Sequence, residues 1–229
     1  LDGVKVLDLS RILAGPHAAQ TLADLGAEVT KVEAPWGDDT RSWGPPFQPG
    51  FDAQQVASYF LSANRGKVIV SANIKEEAAR IQALMNQADV IIENFKPGTF
   101  ERYLGRAPSN AIVCSISGYG QDGPRRDEPA FDLTMQARSG IMSVTGEANG
   151  PPAKVGVAWI DVMTGMNAVS AILAALLVRE RTGEGSHIDI SLWDTAIAAL
   201  VNQGHNALTG MVPQRMGSAH PNLAPSLVF

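Results

Sequence analysis

Val4-Lys-Val-Leu-Asp-Leu-Ser-Arg-Ile-Leu-Ala-Gly-Pro16 and, ten residues on, Gly26-Ala-Glu-Val-Thr-Lys-Val-Glu33 decide the fold. The β-branched and leucine run Val4–Leu9 suits a strand buried on both faces of a parallel sheet. Pro16 falls where a first helical turn tolerates it, since the missing N–H has no partner there anyway. Ala18 to Leu25 then reads as a helix closed by Gly26, and Glu28–Glu33 as the next strand. A strand–helix–strand unit of about thirty residues fits a βαβ unit with a right-handed crossover.

The same alternation continues. Residues 34–53 hold Pro35, Gly37, Gly44, Pro45, Pro46, Pro49 and Gly50 with Trp36 and Trp43, a long ordered loop or flap of the kind that carries function. Val56–Ala63 reads as a helix and Lys67–Val70 as a strand. Glu76–Gln87 reads as an amphipathic helix with Ala79, Ala83 and Leu84 on one face. Asp89–Glu93 and Ala111–Ile116 read as two more buried strands. The expected fold is α/β: an open, doubly wound, mostly parallel sheet of Rossmann-like form. Ligands in that architecture sit beyond the carboxyl ends of the strands, here Ser10–Pro16, Ala34–Trp36, Asn94–Gly98 and Ser117–Pro124. Beyond these, Asp132–Val144 reads as a helix and Asn149–Pro152 as a turn. A long apolar helix through Asn167–Val178 ends at Thr182–Gly185. Ser186–Leu192 alternates as a strand, Trp193–Thr209 reads as a helix, and Gly210–Phe229 as an irregular exit. Residues 1–200 are expected to form a large α/β domain, and 201–229 a linker and the beginning of a small one.

Composition narrows the function. Of 229 residues 45% are hydrophobic and 18% charged, and the net charge of −5 argues against a general nucleic-acid binder. The single cysteine, Cys114, excludes an internal disulfide and fits a reducing compartment, so a cytoplasmic location is expected. The longest apolar run, Ala168–Val178, is too short to cross a bilayer, and no membrane partner is expected. Leu1 in place of an initiator Met and the apolar end at Phe229 suggest a piece of a longer polypeptide.

Few familiar motifs are present. Leu13-Ala-Gly-Pro16 has one glycine where a dinucleotide-binding turn needs several, and neither a Walker A nor a GxSxG segment occurs. His17, His187, His205 and His220 are scattered, with no HExxH or CxxC, so no metal site is expected. Asn94-Phe-Lys-Pro-Gly-Thr-Phe-Glu-Arg102 offers an amide, an aromatic face and two cations after a strand end. It reads either as a site for an adenine ring and a phosphate or as a βα loop with a solvated helix. Lys75 and Arg125-Arg126-Asp127-Glu128 read as solvated surface. Asp161, at the mouth of the long apolar helix, is either its cap or a reactive carboxylate. Helix-end N–H groups would keep it ionised in an apolar pocket.

Several of these segments, in order, resemble the class III CoA-transferase family, also called CaiB/BaiF. It includes formyl-CoA transferase, carnitine CoA-transferase and α-methylacyl-CoA racemase. The resemblance rests on Val4–Pro16, Leu22–Glu33, Ala88–Gly98, Ser117-Gly-Tyr-Gly120, Asp161-Val-Met-Thr-Gly-Met166, Arg181–Gly185 and Arg215–Pro221. It implies a catalytic aspartate at Asp161 and coenzyme A contacts at Ile12, Leu13, Lys75, Asn94, Phe95, Lys96 and Arg102. It also implies acyl-CoA and a small carboxylic acid as substrates, no tightly bound cofactor, and an interlocked homodimer in a protein longer than this chain. Members that racemise place a histidine just before the position of Asp132; here it is Phe131, which cannot move a proton. A transferase is therefore expected. A racemase of the same family and a non-catalytic CoA-binding module are the alternatives.

Overall fold

The computed structural model describes residues 1–50 and 55–223. Its strands are β1 (Lys5–Asp8), β2 (Glu28–Glu33), β3 (Phe47–Pro49), β4 (Gln55–Ala57), β5 (Lys67–Ser71), β6 (Val90–Glu93), β7 (Ile112–Ser117) and β8 (Ser186–Ser191). The helices are α1 (Ala14–Asp24), α2 (Ser58–Ser62), α3 (Ala78–Met85), α4 (Thr99–Leu104), α5 (Asp132–Ser139), α6 (Ile141–Val144), α7 (Trp159–Thr182), α8 (Leu192–Ala198) and α9 (Val201–Leu208).

Six strands make one sheet in the order β5-β2-β1-β6-β7-β8, every pair parallel. The chain therefore winds outward from β1 through β2 to β5, then returns to the centre and winds the other way. Two layers of side chains follow. Val6, Val90, Ile92, Ile112, Cys114 and Ile116 pack with Ala18 and Leu22 of α1 and Ala168 and Ile172 of α7. On the other face Leu7, Leu9 and Ile91 pack with Ile81 and Met85 of α3 and Phe100 and Leu104 of α4. This is the doubly wound sheet expected from the sequence.

Alanines and a glycine set how closely α1 and α7 cross. A Cβ on Gly165 would lie 2.7 Å from the Ala14 carbonyl oxygen, so no larger residue fits that crossing. At the far end α7 stops at Gly183, whose φ of 74° is a conformation that glycine adopts without strain. At 24 residues α7 is long and apolar enough, by length and composition, to cross a membrane. It extends past the Ala168–Val178 run at both ends. In this fold Ile160, Thr164, Ala168 and Ile172 are buried against the sheet and α1.

Several local expectations are corrected. The flap contains a 3-10 turn, Asp39–Ser42, and the antiparallel pair β3–β4; its last residues, 51–53, lie outside the described residues. The segment 56–63 begins in β4, and only Ser58–Ser62 is helical. In α3 the buried residues are Ile81 and Met85, whereas Ala79 and Ala83 are exposed. The helix expected over 132–144 breaks at Gly140, φ 92°. That expected over 193–209 breaks before Val201, a β-branched residue at φ 45°. Residues 210–223 carry no regular element, and 224–229 lie outside the described residues.

Candidate active site

The winding direction reverses between β1 and β6, and a doubly wound sheet opens a crevice beyond the carboxyl ends of such a pair. Two turns line it here, Ser10–Leu13 after β1 and Asn94–Lys96 after β6. They are tied together: the Asn94 amide accepts from the Arg11 N–H at 3.0 Å and donates to the Arg11 carbonyl at 2.8 Å. Ile12 follows at φ 71°, a left-handed conformation costing a β-branched residue about 1–3 kcal/mol.

A buried ionic group beneath the turn holds it there. The Ile12 N–H donates to Asp38 at 3.2 Å, and Asp38 pairs with Lys31 at 3.1 Å. Lys31 donates to the Ser10 carbonyl at 2.7 Å. Asp8 accepts from the Ser10 N–H at 3.0 Å and pairs with Lys67 at 2.8 Å. The side chains of Asp8, Lys31, Asp38 and Lys67 are all at 1% exposure or less, which is tolerable only because the two cations match the two anions. Burial would raise the Asp8 carboxyl, but Lys67 and Lys31 outweigh it and hold Asp8 below the usual carboxylate range. Lys67 also donates to the Pro16 carbonyl and to Asn64, so three acceptors hold it as an ammonium although burial lowers its pKa.

Two adjoining cavities flank these turns. The larger, about 710 Å³, includes Lys75, Arg102, Tyr103, Asn73 and Trp36 in its wall. The smaller, about 210 Å³, includes Ile12, Leu13, Phe131 and Asp161. Arg11, Asn94, Phe95 and Lys96 line both. All eight residues singled out in the sequence thus border one or the other of two cavities that share a wall. Lys75, read from its local sequence as surface, and Arg102 lie 6.0 and 5.5 Å from the Tyr103 ring centroid, so two cations and an aromatic face share the larger cavity. The Asn94 amide is engaged with Arg11 through one donor and one acceptor, and it also lines both cavities. Among the described residues no group of three or more His, Cys, Asp or Glu side chains could hold a metal ion.

Asp161 lies in the first turn of α7, but it does not cap it. Asp132, at the start of α5, does so instead: its Oδ1 accepts from the Ile160 N–H at 2.7 Å and from the Asp161 N–H at 3.4 Å. Its other oxygen accepts from Gln136 at 2.6 Å. The expectation that helix N–H groups keep Asp161 ionised is therefore overturned. Burial first, and then the neighbouring Asp132 charge, push the Asp161 carboxyl up from 3.8 to about 7. Tyr59 is close enough that burial, Asp161 and Asp132 together raise its phenol.

Sequence reasoning missed Asp132 as the cap, Tyr59 as a neighbour, and the Asp8–Lys31–Asp38–Lys67 group. A signal for the last was present: Lys31 alternates with Val29 and Glu33 on the buried face of a central strand, where an unpaired lysine cannot be accommodated.

The fold is a doubly wound α/β sheet, and a carboxylate of raised pKa borders the smaller of two cavities at the reversal of its winding. The whole chain, residues 1–229, matches the CoA-transferase family III model, and the chain belongs to that family. It is 48% identical over 236 residues to a succinate–glutarate CoA-transferase of Agrobacterium fabrum, covering 98% of this chain and 59% of that protein. An acetyl-CoA:oxalate CoA-transferase of Acetobacter aceti is 41% identical over 243 residues, covering 100% and 60%. Among solved structures, a CaiB/BaiF family protein from Brucella suis superposes with a TM-score of 0.93 at 46% identity, covering 99% and 62%. The chain thus spans about 60% of the length of these relatives.

Proposed function

We propose that this chain carries the CoA-binding cleft and the nucleophile of a CoA-transferase that moves CoA from an acyl-CoA to a small carboxylic acid. The observation that supports this most is the position of Asp161 in a small cavity that shares the Asn94–Lys96 turn as a wall with a larger one bearing Lys75, Lys96 and Arg102. A nucleotide end suits the part of the larger cavity that carries Lys75, Lys96 and Arg102, and a narrow arm crossing the turn delivers its thioester to Asp161. Volumes of about 300–1,000 Å³ are usual for such ligand sites.

In this reading the Asp161 carboxylate attacks the thioester carbonyl, forming a mixed anhydride as the C–S bond breaks and CoA leaves as thiolate. The thiolate attacks the aspartyl carbonyl, releases the first acid as its carboxylate and leaves an aspartyl-CoA thioester. An acceptor carboxylate attacks that thioester and again expels the thiolate, now leaving the acceptor in the anhydride. Attack of the thiolate on the acceptor carbonyl gives the new acyl-CoA and regenerates Asp161. The anhydride and the aspartyl thioester both hold an activated carbonyl that water would hydrolyse, so water must be excluded. The raised pKa fits a site dry enough to do so.

The names of the relatives point to small dicarboxylates, of the size of glutarate or oxalate, as acceptor acids. We also propose a cytoplasmic homodimer for the whole protein, with no nucleic-acid or membrane partner. Phe131 lines the Asp161 cavity with a ring that cannot exchange protons, which favours transfer over racemisation. The test is Asp161→Ala: the variant binds CoA but no longer transfers it between acids. A wild-type transfer rate in that variant refutes the proposal.

A further inference from the structure

The face of β6–β8 turned toward α4 holds a chain of polar side chains that the proposed chemistry does not use. Glu93, the last residue of β6, is 3% exposed, and its Oε2 accepts from the Phe95 N–H at 2.7 Å. Ser115 lies directly opposite on β7. The Ser115 hydroxyl is 2.8 Å from His187 Nε2 on β8. No lysine or arginine pairs with Glu93 among the described residues. The charged groups that bear on it are acids, Glu101 on α4 and Asp189 on β8.

A buried carboxylate without a cation is costly unless hydrogen bonds hold it. One of those bonds comes from the backbone of the turn that both cavities share. We infer that Glu93 is a positioning residue for the ligand cleft, holding the Asn94-Phe95-Lys96 turn, through its carboxylate, in the shape that lets one ligand lie in both cavities. This rests on the proposal that CoA crosses that turn, and it adds a residue that touches neither the ligand nor Asp161.

The bond has a direction that makes the role testable. The carboxylate accepts from the Phe95 N–H; a protonated carboxyl is a poorer acceptor, and the amide is released. Burial, partly offset by the neighbouring Ser115 hydroxyl and the Phe95 bond, pushes Glu93 up to about 7. The turn is thus held above neutral pH and loosened below it.

The experiment has two arms. In the first, the Phe95 amide proton is followed by NMR from pH 5.5 to 8.5. It shifts downfield with a midpoint near 7 in the wild type and in His187→Gln, which removes the neighbouring imidazole, and shows no step in Glu93→Gln. In the second, binding of dephospho-CoA is measured by calorimetry. This probe lacks the 3′-phosphate, whose second ionisation near pH 6 would otherwise obscure the result. Wild-type affinity falls roughly fivefold from pH 8 to pH 6, while Glu93→Gln binds at both pH values about as weakly as the wild type at pH 6, as expected for a charged acceptor replaced by a neutral one. A Phe95 amide that does not titrate, or titrates equally in Glu93→Gln, overturns the inference. So does equal, pH-independent binding by both proteins. Failure of the wild type to bind the probe at any pH overturns the proposed CoA cleft and this inference with it.

Discussion

Replacing Asp161 by Asn should make the protein more stable, and increasingly so as pH rises. The folded carboxyl titrates near 7 against an ordinary value of 3.8, so the folded state binds this proton more tightly than the unfolded state does. Between those two values the unfolded chain carries fewer protons at this site, and stability falls as pH rises. Integrating over that gap, the Asp161 carboxylate costs the fold about 1.7 kcal/mol at pH 5 and about 4.3 kcal/mol at pH 8. The difference, about 2.6 kcal/mol, is an upper limit because Asp161 is not fully buried. Asn has nearly the same shape and no charge, and any effect of its amide on packing is the same at both pH values. Urea unfolding of both proteins at pH 5 and pH 8 therefore isolates the ionisation. The stability gained by Asp161→Asn should be about 1–2.5 kcal/mol larger at pH 8 than at pH 5. A gain equal at the two pH values, or smaller at pH 8, refutes a raised Asp161 pKa and the desolvated site inferred from it.

Asp132→Asn keeps an oxygen for the Ile160 N–H while removing the charge beside Asp161. It should lower the pH midpoint of CoA transfer by roughly one unit, read from the pH–rate profile; an unchanged or higher midpoint contradicts the geometry. Lys67→Met leaves Asp8 buried with only the more distant Lys31, and should cost about 3–5 kcal/mol in denaturant unfolding. Gly165→Ala places a methyl 2.7 Å from the Ala14 carbonyl and should cost about 1–3 kcal/mol by separating α1 from α7. A neutral result would show that the crossing has slack.

What could be read in the sequence followed hydrophobic periodicity. The β1–α1–β2 unit, the strands at 90–93 and 112–117, and the two turns at the reversal of the sheet are short-range patterns, and the structure contains them. The failures are long-range or rest on a single residue. Gly140 breaks one expected helix, and the backbone at Val201 breaks another. The expected apolar face of Glu76–Gln87 was Ala79, Ala83 and Leu84, whereas packing against the sheet buries Ile81 and Met85. The cap of α7 comes from Asp132, 28 residues before Ile160, so no local reading of Asp161 could show that its helix-end N–H groups were already taken. Glu93 is legible as the end of a strand, but the burial that turns its carboxylate back onto the Phe95 N–H comes from the packed sheet and not from the local sequence.

The central claim is that Asp161 becomes covalently acylated. Incubating the protein with an acyl-CoA and hydroxylamine, then mapping peptides by mass spectrometry, tests it most directly. Hydroxylamine attacks an aspartyl thioester or anhydride, so a hydroxamate on Asp161, formed only when acyl-CoA is present, is the predicted result. An unmodified Asp161 peptide while CoA transfer proceeds in the same sample would contradict the account.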